Sequence, residues 1–200
     1  MTHIFVIIGT SGVGKTTLAR AVVRSSEQLI MPVGVTTRKP RVSERQGIDY
    51  RFIAHKTFQQ WQQENLFIET ATYRNEQYGI LKQDVIEPIN KGFDILTILT
   101  QEGLQTFKNL FGNKITSLFI TPPSIIELKR RRHQRDNWKA LTQEDDIYGM
   151  KRAYDFKITN DNLEQAVEQI RLVREIVKKG RRQNYVKYKK YLIYVNHYII

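Results

Sequence analysis

Ile4-Phe5-Val6-Ile7-Ile8-Gly9-Thr10-Ser11-Gly12-Val13-Gly14-Lys15-Thr16-Thr17 begins as five β-branched or aromatic residues, breaks into glycines and then turns polar. The uninterrupted apolar run predicts a parallel strand covered on both faces. From Lys15 onward Leu18, Ala21, Val22 and Leu29 recur at helical spacing, so a helix is expected directly after the glycines. Strand, glycine loop and helix form the context in which G-x-x-x-x-G-K-[ST], here residues 9–16, becomes a mechanism. The loop Gly9, Thr10, Ser11, Gly12, Val13 and Gly14 can curl so that successive N–H groups face one anion, and the helix N-terminus adds its dipole. Lys15 would neutralise β- and γ-phosphate charge, the Thr16 hydroxyl can ligate Mg²⁺, and Thr17 extends the expected nucleotide contacts. The four fixed positions coincide by chance in about one chain in a hundred of this length. A nucleoside triphosphate site is expected.

Working outward, residues 95–99, 117–120 and 155–159 are the next apolar runs and the expected further core strands. Pro122-Pro123-Ser124 with Glu127 predicts a helix start in which Ser124 caps the first amides and Glu127 completes the box. A basic helix to about Arg135 should follow. From Asn162 to about Lys178, the residues Leu163, Ala166, Val167, Ile170, Val173 and Val177 define the apolar face of a last helix. Strands alternating with helices imply an α/β fold, a parallel sheet layered between helices. Residues 33–80 break the alternation with a charged, aromatic-containing segment at 36–52, a short helix around 57–65 and a strand-like piece at 66–72. They read as an inserted subdomain.

Composition narrows the function classes. With 40% apolar and 26% charged residues among 200, the chain is neither disordered nor membrane-embedded in character. The absence of cysteine excludes a disulfide scaffold, a thiolate nucleophile and Cys-ligated metal. The first residues carry no basic n-region and no cleavage site, so a cytoplasmic protein is expected. Of the net charge of +12, seven lysines or arginines and no acid fall within residues 176–200, leaving +5 on the preceding 175. The body is only mildly basic.

Thr36-Thr37-Arg38-Lys39-Pro40-Arg41, Glu44 and Gly47-Ile48-Asp49-Tyr50-Arg51-Phe52 resemble the signature of guanylate kinases. The resemblance continues through Phe67-Ile68-Glu69, Tyr78-Gly79, Pro122-Pro123-Ser124, Arg131 with Arg135, and Asn160-Asp161, covering residues 4 to about 175. It implies a P-loop α/β core with a nucleoside-monophosphate-binding insert and an arginine-bearing lid at about 130–152, and phosphoryl transfer from ATP, with Mg²⁺, to GMP or dGMP. It further implies that Arg38, Arg41, Tyr50 and Tyr78, next to Gly79, hold the acceptor phosphate, with Glu44 orienting the arginines. Guanidinium forks and phenol donors suit a phosphate dianion and can aim the attacking oxygen in line. Lys15, Arg131 and Arg135 would stabilise the transferring group, Asn160 would contribute to the ATP side, and Glu69 would accept from N1–H and the amine of guanine.

Some family positions are filled differently. The family has a serine where Gly34 stands and a Ser or Thr where Ile80 stands, and its third core strand bears aspartates where residues 95–100 have none. Asp94 lies just before that strand, and Lys151 or Arg152 stands nearest to a third lid arginine in a short lid. Three readings therefore stay open: a guanylate kinase, a related kinase whose acceptor is another nucleotide or a phosphorylated sugar, and a non-catalytic binding module. Residues 178–200 interleave lysine and arginine with Tyr185, Tyr188, Tyr191, Tyr194 and Tyr198. This basic tail is expected to pack on the body or to remain a solvated end; affinity for nucleic acid or an anionic surface is the alternative.

Overall fold

The side chains of β1 (Ile4–Ile8) alternate between two buried faces. Phe5 and Ile7 join Val13, Leu18 and Val22 on one side, whereas Ile4, Val6 and Ile8 join Val85, Leu104 and Phe107 on the other. The computed structural model describes residues 2–73, 75–136 and 154–180, apart from the side chains of 135, 136 and 180. Helices α1 (Lys15–Arg24) and α6 (Leu163–Gly180) cover the first face of the sheet, α3 (Lys82–Asn90) and α4 (Gln101–Phe111) the second. Between them lies a parallel five-stranded sheet in the order β2-β7-β1-β8-β9, adding β2 (Leu29–Ile30), β7 (Asp94–Ile98), β8 (Ile115–Thr121) and β9 (Phe156–Thr159). Ile4 is level with Ile95 on one neighbour and Ile115 on the other, so the strands end at a common edge, where the glycine loop leaves β1. That edge is where open α/β sheets bind ligands.

Three residues depart from the expected helical faces: Leu29, Ala21 and Leu163. Helix α1 stops at Arg24, and Gln28, at φ 52°, reverses the chain so that Leu29 is buried in β2. The buried positions of α1 are Leu18, Ala19 and Val22, with Ala21 only half-buried. On α6, Ala166, Ile170, Val173 and Val177 are buried and Val167 packs at their edge, but Leu163 in the first turn is exposed. Ser124 caps α5 (Ile125–Asp136) by accepting from the Glu127 amide at 3.1 Å. The Glu127 carboxylate does not turn back to complete the box, because Arg130 and Arg131, one turn on, hold it.

The insert has its own mixed sheet, β4-β3-β6-β5, built from β3 (Val35–Thr36), β4 (Arg51–Phe52), β5 (Phe67–Tyr73) and β6 (Glu76–Leu81). Val35, Phe58, Phe67 and Leu81 form its small core beneath α2 (His55–Gln63), with the Phe58 and Phe67 rings stacked at 4.5 Å. Residues 137–152 of the expected lid, including Lys151 and Arg152, and the tail at 181–200 lie outside the described residues. Among those described, no helix is long and apolar enough to cross a membrane.

Candidate active site

The loop between β1 and α1 takes its shape from glycine dihedrals that other residues rarely adopt: Gly9 at φ 148°, Gly12 at 88° and Gly14 at 90°. A Cβ at Gly9 would come within 2.5 Å of the Ile120 carbonyl, so β8 sets how close the loop lies. Asn160, at the end of β9, donates to the Val13 carbonyl at 2.8 Å and fixes the far side of the loop. The Lys15 ammonium donates to the Gly9 and Thr10 carbonyls at 2.6 and 2.8 Å. No described side chain caps the start of α1 and its first turn holds no acid, which leaves a positive dipole end facing the loop. Thr16 is half-buried in that turn and Thr17 is exposed.

Helix α5 approaches the same loop. Arg131 donates to Glu127 at 2.6 Å and to the Asn160 carbonyl at 2.9 Å. Its neighbour Arg132 is buried and donates to the Ser11 carbonyl at 2.7 Å and the Thr10 hydroxyl at 2.9 Å. Arg130 and Arg131 hold the Glu127 carboxyl down at about 2. Arg135 belongs to α5, but its side chain is outside the described set.

In the insert, Thr36 and Thr37 tie β3 to β6: the Thr36 hydroxyl donates to the Gln77 carbonyl and the Thr37 hydroxyl to Glu76. The chain then enters an arginine cluster. Arg38 makes a two-pronged pair with Glu44 at 2.9 and 3.0 Å, and Glu44 also accepts the Arg41 amide at 2.8 Å and the Arg41 guanidinium at 3.5 Å. Burial pushes the Glu44 carboxyl up, but Arg38 and the Arg41 amide outweigh it and hold it below the usual carboxylate range. The Arg38 guanidinium also lies 5.6 Å from the Tyr50 ring centre, and Tyr50 meets Tyr78 edge-on at 6.2 Å. Arg38, Arg41, Glu44, Tyr50 and Tyr78 thus form one group. Gly79, buried beside Tyr78, leaves room for the Phe67 ring, which a Cβ would approach to 2.6 Å.

Glu69 stands apart from that group, opposite Ile80 across the β5–β6 ladder and against the start of α4, where a Cβ on Gly103 would come 2.6 Å from its carboxylate. Burial, and then the charge of Glu102, push its carboxyl up to about 7. The two carboxylates border a cavity of about 310 Å³ lined also by Ile68, Thr70 and Thr106.

The positions that depart from the family signature have local reasons. A Cβ at Gly34 would sit 3.0 Å from the Tyr50 ring, so a side chain there would require the ring to shift by a few tenths of an ångström. Ile80 is buried with Leu99 and Ile8. Thr100 caps α4, its hydroxyl accepting from the Gly103 amide at 3.1 Å. Asp94 is at the wrong end of β7 to stand in for an aspartate of the site. It pairs with Arg174 at 3.1 Å and Lys178 at 2.7 Å and accepts the His3 amide, at the edge opposite the glycine loop.

Among the described residues, two ion pairs that the sequence does not single out join the insert to the core. Arg20 of α1 holds Asp49, which also accepts the Arg45 amide at 2.6 Å. Arg51 reaches Asp84 of α3 and donates to the Val33 carbonyl at 3.1 Å. Each partner lies in a different part of the chain, so no local pattern marks the pairs. The sequence marks Arg132 only by its place four residues after Leu128, where an apolar residue would continue the helix face.

This combination of glycine loop, arginine cluster and insert can be compared with known proteins. A guanylate kinase family model matches residues 1–178. The chain belongs to the guanylate kinase family. A guanylate kinase of Mycoplasma genitalium is 38% identical over 70% of this chain and 59% of its own length. One from Coxiella burnetii is 32% identical over 84% of each. The crystal structure of guanylate kinase from Anaplasma phagocytophilum superposes with a TM-score of 0.71 at 25% identity, covering 87% of this chain and 85% of that one. The P-loop core and inserted sheet of this chain accord with that likeness.

Proposed function

We propose that this chain transfers the γ-phosphoryl group of ATP to GMP or dGMP, giving ADP and GDP or dGDP. The observation that carries the reading is the Arg38–Glu44–Arg41 group with Tyr50 and Tyr78, a preassembled dianion site in the same chain as a phosphate loop. In this reading the loop amides and Lys15 hold the donor phosphates, and Lys15 leaves the Gly9 and Thr10 carbonyls for the β- and γ-oxygens. Arg38, Arg41, Tyr50 and Tyr78 hold the acceptor phosphate so that its oxygen attacks in line. Because a loose transition state needs charge neutralised more than bonds made, Lys15, Arg131 and Arg135 do most of the catalytic work.

Glu69 reads the base: its carboxylate accepts N1–H and the exocyclic amine of guanine, whereas adenine presents a lone pair at N1. Mg²⁺ would enter with ATP. Among the described residues there is no group of three acidic or histidine side chains that could cage a metal, and Thr16 offers one hydroxyl beside the loop. That donor set fits an ion held mainly by phosphate oxygens and water. When bound, the ion supplies charge neutralisation on the triphosphate.

The test is ADP release with ATP and Mg²⁺ against GMP, dGMP, AMP, CMP, UMP and dTMP, with Lys15→Ala as control. Turnover confined to GMP and dGMP supports the reading. Gly34 and Ile80, which offer guanine no hydroxyl, favour a second reading in which another nucleotide or a phosphorylated sugar is the acceptor. Lys15-dependent turnover with such an acceptor would establish it, and no Lys15-dependent turnover would leave a binding module.

A further inference from the structure

Arg132 occupies the face of α5 that Leu128 begins, one turn earlier, while Arg131 follows Glu127 on the adjacent face. Leu128 is completely buried in the core with Val13 and Leu18, and an apolar residue would ordinarily continue that face. Instead a guanidinium lies there, only 3% exposed. Its stem crosses Gly12, where an added Cβ would come 2.6 Å from Cγ and 3.1 Å from Nε of Arg132. Beyond the stem, Nε donates to the Ser11 carbonyl and Nη2 to the Thr10 hydroxyl. Two donors of one rigid fork thus bind consecutive loop residues, a geometry that a lysine ammonium cannot reproduce. The same helix holds the Asn160 carbonyl through Arg131, and Asn160 holds the Val13 carbonyl. Helix α5 therefore grips the loop on both sides of Gly12.

We propose that Arg132 is a positioning residue for the donor triphosphate. It sets the turn at Thr10, Ser11 and Gly12 so that the loop amides converge on one anion, and its permanent charge adds to that of Lys15 in attracting it. Any movement of α5 is transmitted to the loop through this contact. The proposal rests on the reading of residues 9–16 as the ATP loop.

The experiment combines calorimetric titration of the full chain with Mg²⁺ and ATP, steady-state kinetics with each substrate varied, and a thermal melt, on the wild type, Arg132→Leu and Arg132→Lys. Arg132→Leu is expected to weaken ATP binding and raise the KM for ATP about tenfold, with the KM for GMP unchanged. Arg132→Lys, which keeps the charge and loses the fork, should fall between the two. A purely structural residue would lower the melting temperature and the active fraction, hence the apparent kcat, while the folded protein bound ATP as before. That result overturns the proposal. If Arg132→Leu does not fold, Arg132→Lys decides, and ATP affinity equal to wild type overturns it. If the wild type binds ATP but does not phosphorylate GMP, the reaction assigned above fails, while calorimetry still judges Arg132.

Discussion

At the proposed donor loop the groups that would face a ligand are mainly main-chain amides, held by glycine dihedrals, Asn160 and Arg132; on the proposed acceptor side they are arginine and tyrosine side chains, the two arginines held by one carboxylate, Glu44. Amides in a packed loop are already ordered by the fold, so they bind an anion with little further loss of freedom. Arginine and tyrosine side chains have rotamers to lose, and the Glu44 pairs remove part of that cost before a substrate arrives. The donor half is thus a property of the core and the acceptor half a property of a local ion-pair cluster. The two halves should be separable by mutation.

The strongest test of that separation is Lys15→Ala, expected to lower kcat/KM about a thousandfold while calorimetric affinity for GMP stays at the wild-type level. A matching loss of GMP affinity would show that the halves are coupled. Next in size, Glu44→Ala releases both arginines and should raise the KM for GMP about thirtyfold, with the KM for ATP unchanged in steady-state kinetics.

Glu69 sharpens the contrast within the insert, because burial and Glu102 hold its carboxyl near 7. In the proposed role of Glu69 guanine needs the carboxylate, so GMP affinity should rise about tenfold per pH unit below that value, level off above it, and lose this pH dependence in Glu69→Gln. The sign for folding is the reverse. A carboxyl whose folded pKa exceeds its unfolded value of 4.5 binds more protons in the native state between the two, so stability falls as pH rises from 4.5 through 7. Glu69→Gln should therefore melt higher than wild type at pH 8 and level with it at pH 4.

The smallest effect on activity belongs to Asp94→Asn, which lies in neither half. It should cost about 2 kcal/mol and lower Tm by about 6 °C, with both KM values unchanged, since a buried partner of Arg174 and Lys178 is lost far from the site.

Much of this was legible in order along the chain. The glycine loop, β7, β8, β9 and the Ser124 cap announce themselves within short windows, because strand burial, positive φ and capping are local requirements. The signature from Thr36 to Phe52 marked the arginine cluster for the same reason, since Arg38, Arg41 and Glu44 meet within seven residues. Periodicity places Leu29 and Leu163 on buried helical faces that neither joins, because it does not report where a helix stops or where a sheet edge ends. Asp94 stood beside the right strand in sequence and at its wrong end in space.

The α/β alternation and the phosphate loop are legible in residue type and spacing, because each shows as a pattern within short windows, and the acceptor residues are legible through the resemblance to guanylate kinases. Tertiary structure alone decided that Arg132 reaches Thr10 across 122 residues, that Arg20 meets Asp49, and that Glu69 is half-buried against Gly103, its carboxyl raised by desolvation and then by Glu102. Those outcomes depend on desolvation and on which distant groups share a small volume, and neither quantity exists until the helices and the two sheets have packed.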